Sequence, residues 1–129
     1  MSKILIVEDD KKLREELIKY LRNNMYEAEG LNNFSNSIED ILKFNADLVL
    51  LDINLPNIDG EYILKELRKV SNVPIIMITS KDTELDELIS LNYGADQYVT
   101  KPFNLQILLA KIASLLRRSA SFSSNQNKI

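Results

Sequence analysis

Short apolar runs alternate with amphipathic segments along this chain, and the alternation occurs five times. Apolar runs are typical of strands, and apolar residues that recur every three or four positions are typical of helices. The predicted strands are 4–7, 26–31, 48–51, 75–78 and 98–99, and the predicted helices are 11–23, 35–43 (with Ser35 as its cap), 59–70, 83–92 and 105–118. Such apolar strands indicate a parallel sheet covered on both faces, with right-handed crossovers. Five units predict a doubly wound sheet, because a closed eight-unit barrel needs about 250 residues.

Composition excludes several classes of protein. The 129 residues are 45% apolar and 27% charged, which suits one domain, and the formal charge of −3 provides no general field for nucleic acid or anionic membranes. The absence of cysteine and histidine excludes disulfides, thiolate sites and Ser-His-Asp catalysis. No apolar run approaches the roughly 20 residues of a membrane span, and "MSKILIVEDD" lacks the apolar core of a signal peptide. A cytoplasmic protein without membrane or nucleic-acid partners is therefore predicted.

Polar residues follow four of the predicted strands at their carboxyl ends, where ligands bind in open parallel sheets. They are Glu8, Asp9 and Asp10 after the first strand, Asp52 after the third, Thr79 and Ser80 after the fourth, and Lys101 and Pro102 after the fifth. Taken singly, Asp10 is explained as a helix cap, Thr79 as a turn residue and Lys101 as solvated surface. Asp52 ends the most buried strand, and the joint arrangement favours a functional site.

The residue types at this edge predict phosphoryl chemistry. Adjacent carboxylates repel each other, so one must protonate or a cation must join them. Oxygen ligands without histidine or cysteine suit Mg²⁺, which takes one or two carboxylates and keeps several waters. Lys101 adds a fixed positive charge. A divalent cation and a lysine around Asp52 form a site for an incoming phosphoryl group.

Four segments carry a family resemblance: "ILIVEDD", "DLVLLDINLPNIDG", "VPIIMITS" and "GADQYVTKPF". In this order and spacing they closely resemble the receiver domain of two-component response regulators, over residues 2–118. The resemblance implies an α/β, flavodoxin-like (βα)₅ fold, with a five-stranded parallel sheet in the order 2-1-3-4-5 and helices on both faces. Residues 1–118 would form the receiver domain. The segment 119–129, rich in Ser and Asn, would be a flexible linker or tail toward a C-terminal winged-helix DNA-binding domain, because "GADQYVTKPFNLQILLAKIASLLRR" is most similar to that transcription-regulator subfamily.

The resemblance implies roles for the acids. Asp52 would be the phospho-acceptor, receiving its phosphoryl group from a sensor histidine kinase. Asp9 would bind Mg²⁺ directly and Glu8 through water, with Asp52 and the backbone carbonyl of Asn54 completing the metal site and Mn²⁺ able to substitute. Asn54 and Lys81 would flank the phosphoryl group and tune its loss. The domain would be a signalling module rather than an enzyme, although it assists its own phosphotransfer and dephosphorylation.

The resemblance also implies a switch. Thr79 and Lys101 would contact the phosphoryl oxygens, and the Lys101–Pro102 bond would be cis. Thr79 and Tyr98 would move together on activation, when the tyrosine turns inward. The face of the fourth helix, fifth strand and fifth helix would then control an output and form a homodimer.

Several residues on that face depart from the subfamily. Glu87 and Ile107 occupy positions where a basic residue usually pairs with an acidic one, and Gln97 leaves Lys111 without its usual partner. These departures argue against the usual ion-pair dimer. Two explanations of the apolar residues Ile89 and Ile107 stay open: they form a different, apolar contact between subunits, or they pack in the core.

Three rival functions follow from the same residues. A phosphatase or mutase with an aspartyl nucleophile typically needs a second acid two residues later, where this chain has Asn54, which cannot donate a proton in that way. A flavin-binding module of this fold needs an amide-rich loop after the first strand, where "VEDD" would repel phosphate. A receiver used only as a scaffold, without phosphorylation, is the third.

Overall fold

The computed structural model describes residues 1–31, 34, 36–56, 58–80 and 83–126, with side chains as far as Ser119. Its strands are β1 (Lys3–Val7), β2 (Glu27–Gly30), β3 (Leu48–Asp52), β4 (Asn54–Leu55), β5 (Ile58–Asp59), β6 (Ile75–Thr79) and β7 (Gln97–Thr100). Its helices are α1 (Lys11–Asn23), α2 (Ser37–Phe44), α3 (Gly60–Arg68), α4 (Glu84–Asn92) and α5 (Leu105–Gln126). None of the described helices is long and apolar enough to cross a membrane.

Five of the strands form one parallel sheet in the order β2-β1-β3-β6-β7. This confirms the predicted order 2-1-3-4-5, because β6 and β7 are the fourth and fifth strands of that sheet. The register pairs Val7 with Leu51 and Thr79 with Thr100. Glu8, Asp52, Thr79 and Lys101 therefore stand at the same edge of the sheet.

Successive side chains of the central strands enter two separate apolar cores, as the strand period of two requires. One core contains Leu5, Val49 and Met77 together with residues of α2 and α3. The other contains Ile4, Leu50 and residues of α1 and α5. Both faces of the sheet are thus covered, which confirms the buried parallel sheet predicted from the apolar runs.

The pairing of β4 with β5 was not predicted. It is antiparallel and joins Asn54 to Asp59 and Leu55 to Ile58. The chain turns back here to begin α3, and the backbone amide of Gly60 donates to the carbonyl of Ile53 at 2.8 Å. A two-residue pairing has no periodicity to reveal it in a sequence.

Several helix boundaries differ from expectation by one or two residues, and the end of α5 differs by more. α2 begins at Ser37 with Asn36 at its N-cap position, and the predicted cap Ser35 lies outside the described residues. α5 continues to Gln126, beyond the predicted end at Arg118. The segment after Arg118 contains no glycine or proline to stop a helix. The division between domain and linker remains a prediction.

Two buried serines differ in their hydrogen bonding. Ser37 Oγ donates to the carbonyl of Phe34 at 2.5 Å, whereas Ser90 Oγ on α4 has no hydrogen-bond partner in the described part of the chain. A buried hydroxyl without a partner costs about 1–3 kcal/mol. Alanine is also the better helix former.

We therefore expect Ser90→Ala to raise the free energy of unfolding by about 1–2 kcal/mol. Ser37→Ala is the matched control and should lower it, since it removes a satisfied hydroxyl. Urea denaturation followed by circular dichroism measures both. A loss of stability in Ser90→Ala would show that its hydroxyl is bonded in solution.

Candidate functional site

Three acids and a lysine meet at the carboxyl edge of the sheet. Glu8, Asp9 and Asp52 each place a carboxylate oxygen within 4.8 Å of the others. Lys101 Nζ lies 2.6 Å from Glu8 Oε1 and 3.0 Å from Asp52 Oδ2. The structure therefore brings together four residues that the sequence placed at this edge.

Asp52 is nearly enclosed, with 2% of its surface exposed. Its Oδ1 accepts the backbone amide of Asn54 at 3.1 Å, and its Oδ2 accepts Lys101 Nζ at 3.0 Å. Below it, Gly60 packs directly on the backbone: an added Cβ would overlap the Asp52 carbonyl oxygen and lie 2.7 Å from Ile53 Cα. The end of β3 can hold this position only because residue 60 has no side chain.

Lys101 bridges two buried carboxylates. Burial lowers the pKa of Lys101, but the hydrogen bonds to Glu8 and Asp52 and their negative charges outweigh it, so the pKa lies above its ordinary value. The peptide bond between Lys101 and Pro102 is cis, as predicted. The ordinary explanation of Lys101 as solvated surface is wrong, because its ammonium group is an ion-pair partner at the site.

Negative charge exceeds positive charge in the cluster. Burial raises the pKa of Glu8 to about 7, and the charge of Asp52 adds to the rise, while hydrogen bonds from Lys101 and the Asp10 amide oppose it. Glu8 is fully buried, whereas Asp9 is exposed to solvent. A hard cation with oxygen ligands would relieve the repulsion between these acids. The donor set fits Mg²⁺ for that reason.

The turn from β1 into α1 is fixed by its own side chains. Glu8 Oε2 accepts the amide of Asp10 at 3.1 Å, and Asp10 Oδ1 accepts the amides of Lys12 and Leu13 at 3.0 and 3.3 Å. Asp10 is thus the N-cap of α1, which confirms the structural explanation given for it. Glu8 and Asp9 are therefore the two acids of this turn that form the cluster with Asp52.

Thr79 and Tyr98 lie on the neighbouring strands β6 and β7, and both are buried. The carbonyl of Thr79 accepts the amide of Lys101 at 2.7 Å, which ties the ends of these strands together. Tyr98 belongs to the core formed with α2 and α3. Nearer the surface, Asn54 Nδ2 donates to Ser80 Oγ at 3.4 Å, while Lys81 lies outside the described residues.

The face of α4, β7 and α5 exposes apolar side chains. Leu85, Leu88 and Ile107 are 65%, 55% and 57% exposed. The alternative that Ile107 packs in the core is therefore wrong. Ile89 is half-buried. Among the described residues, no ion pair involves Glu87 or Lys111.

Two residues near the site have functions that their sequence context does not indicate. Gly60 packs against the Asp52 backbone. It directly follows the N-cap of α3, so in the sequence it looks like an ordinary residue at a helix start. Arg14 donates from Nη1 to the backbone carbonyl of Glu8 at 2.8 Å. A contact from a helix surface to a backbone atom leaves no trace in residue spacing.

Residues 4–113 match the family model described as the response regulator receiver domain. Sensory transduction protein BceR of Halalkalibacterium halodurans is 39% identical over 129 residues, covering 100% of this chain and 56% of the relative. Response regulator protein GraR of Staphylococcus aureus is 38% identical over 125 residues, covering 97% and 56%. The BeF₃-activated N-terminal receiver domain of Klebsiella pneumoniae RstA superimposes with a TM-score of 0.85 at 34% identity, covering 89% of this chain and 98% of that one.

The chain therefore belongs to the response regulator receiver domain family, the signalling domain of two-component systems. It spans about half the length of the curated relatives it matches. The predicted family and its flavodoxin-like fold are confirmed.

Proposed function

We propose that Asp52 accepts a phosphoryl group from a phosphohistidine of a sensor histidine kinase. A carboxylate oxygen of Asp52 attacks phosphorus, the phosphorus–nitrogen bond breaks, and the kinase histidine leaves with that electron pair. The observation that carries the proposal is the position of Asp52, at the end of a buried strand among Glu8, Asp9 and Lys101. The kinase supplies the histidine that this chain lacks.

Glu8, Asp9 and Asp52 would hold Mg²⁺, or Mn²⁺ in its place, together with the backbone carbonyl of Asn54. When bound, the ion would supply a Lewis acid that draws negative charge from the phosphoryl oxygens. Glu8 and Asp9 would lose their mutual repulsion in the same step. The convergence of the three carboxylates supports this assignment.

Lys101 and Thr79 respond to the new group in this proposal. Lys101 already donates to Asp52, so it reaches a phosphoryl oxygen attached there with little movement. Thr79 would turn its hydroxyl toward the same group, and Tyr98 would fill the space that it leaves. A few kcal/mol of differential binding is enough to shift such an equilibrium.

The output of the switch would be the face of α4, β7 and α5. We infer that it forms a homodimer through an apolar centre that includes Leu88 and Ile107, since the usual ion pairs are not available. The described charges of the two helices are opposite in sign: α4 carries Glu84, Asp86 and Glu87, and α5 carries Lys111, Arg117 and Arg118.

The whole protein that we propose is a cytoplasmic regulator of transcription with a C-terminal winged-helix DNA-binding domain. The greater length of BceR and GraR supports a further domain, and the N-terminal place of the RstA receiver supports an output domain after it. The receiver residues themselves would not bind DNA. They would act as a signalling module rather than an enzyme with multiple turnover.

The test uses the 129-residue chain with acetyl phosphate and Mg²⁺. We expect the intact mass to rise by one phosphoryl group, to stay unchanged when EDTA replaces Mg²⁺, and light scattering to show association only after phosphorylation. An unmodified chain in the presence of Mg²⁺ would overturn the proposal and favour the scaffold alternative.

A further inference from the structure

Arg14 reaches from α1 to the backbone of the acidic turn. Its Nη1 donates to the carbonyl oxygen of Glu8 at 2.8 Å. That carbonyl belongs to the peptide group that joins Glu8 to Asp9. The guanidinium group therefore contacts the peptide plane that links the two residues carrying these carboxylates.

The Glu8 carbonyl lies beyond the paired part of β1. Pairing with β2 ends at Ile6 and Gly30, and the amide of Leu31 donates to the Ile6 carbonyl at 2.9 Å. Glu8 is the residue that follows β1, so its carbonyl takes no part in the described ladder with β2. Arg14 supplies a donor there, where the ladder has ended.

Gly30 fixes the path of the Arg14 side chain. A Cβ added to Gly30 would lie 2.5 Å from Cδ and 2.8 Å from Cγ of Arg14. The stem of Arg14 therefore occupies the space that a side chain at residue 30 would take. Packing on one side and a hydrogen bond at the tip hold the guanidinium group in one place.

We propose that Arg14, seated on Gly30, is a positioning residue for the metal-binding acids. It holds the Glu8–Asp9 peptide so that two consecutive carboxylates, which an extended strand would direct to opposite faces, converge with Asp52. The role rests on the proposed function, because it concerns the same metal site. Arg14 touches none of the three carboxylates in the contacts described, so its contact with the acidic turn is to the backbone.

The test is Mn²⁺ binding to the 129-residue chain, measured by electron paramagnetic resonance of the free ion. We expect Arg14→Met, which keeps the stem and loses the donor, to raise the Kd for Mn²⁺ about tenfold, as the loss of an outer-shell partner of a metal site does. Removing a positive charge near the acids would by itself strengthen cation binding. The expected weakening therefore has the opposite sign to the charge effect.

Arg22→Met is the matched control, because Arg22 also donates from α1 to a backbone carbonyl, that of Ala28, at 3.0 Å. It should lose stability to a similar degree in urea and keep the Kd of the parent chain. Gly30→Ala should raise the Kd by displacing the stem while the guanidinium group remains. Arg14→Lys, which retains a cationic donor, should fall between Arg14→Met and the parent.

Each outcome separates the two proposals. A parent chain that binds no Mn²⁺ would overturn the metal site and, with it, the role of Arg14. A parent chain that binds Mn²⁺ while Arg14→Met and Gly30→Ala bind it equally well would overturn only the positioning role. Equal weakening in Arg22→Met would also overturn it, because general loosening of α1 would then explain the loss.

Discussion

Asp52→Asn is expected to abolish phosphorylation of the chain and to raise its free energy of unfolding by about 1 kcal/mol. Phosphorylation is lost because the amide is not a nucleophile. Stability rises because Glu8 and Asp52 share a single lysine, at 2.6 and 3.0 Å. With Asp52 neutral, Glu8 and Lys101 remain as a balanced pair, and no buried charge is left without a partner.

Asp47→Asn is the matched control for this variant. Asp47 precedes the same strand, is exposed, and accepts the amide of Lys3 at 2.7 Å. It should accept acetyl phosphate like the parent chain and gain no stability. Intact mass and urea denaturation measure the two effects separately.

The two readouts can fail independently. Phosphorylation that persists in Asp52→Asn would show that another residue is the phosphoryl acceptor. A marked fall in its stability would instead show that the Asp52 carboxylate is a net stabilising partner of Lys101.

The sequence predicts the sheet well because its signals are strong. Runs such as 48–51 are apolar throughout, and a parallel sheet buried on both faces is the arrangement that accommodates them. The polar residues that end these strands then have only one edge to occupy. Glu8, Asp52 and Lys101 could be predicted to converge from strand order alone, and the structure adds their distances.

Other features depend on contacts that residue spacing does not encode. The β4–β5 pairing follows from how the chain leaves β3, and the far end of α5 lacks a sequence signal to stop it. The sequence could not decide between exposure and burial of Ile107, because Ile107 is one of several apolar residues of α5 and only the packed helix shows which of them stay in solvent. A buried hydroxyl such as that of Ser90 looks like any other serine in a helix until its neighbours are known.

Gly60→Ala is expected to lower the free energy of unfolding by about 2 kcal/mol or more and to reduce phosphorylation in the folded chain. Alanine ordinarily stabilises the interior of a helix by about 1 kcal/mol relative to glycine. Here the added methyl group meets the backbone of Asp52 and Ile53, which cannot rotate away as a side chain can. Overpacking against backbone therefore outweighs helix propensity.

Gly30→Ala provides the comparison, because the same methyl group would there meet the flexible stem of Arg14. It should cost less stability than Gly60→Ala, as judged by urea midpoints measured side by side. The phosphorylated fraction is measured well below the unfolding transition, so that a displaced Asp52 is distinguished from an unfolded chain. Normal phosphorylation in a folded but destabilised Gly60→Ala would show that β3 can shift without moving its carboxylate. If Gly60→Ala loses both stability and phosphorylation, the lack of a side chain at residue 60 is needed to place Asp52 beside Glu8 and Lys101.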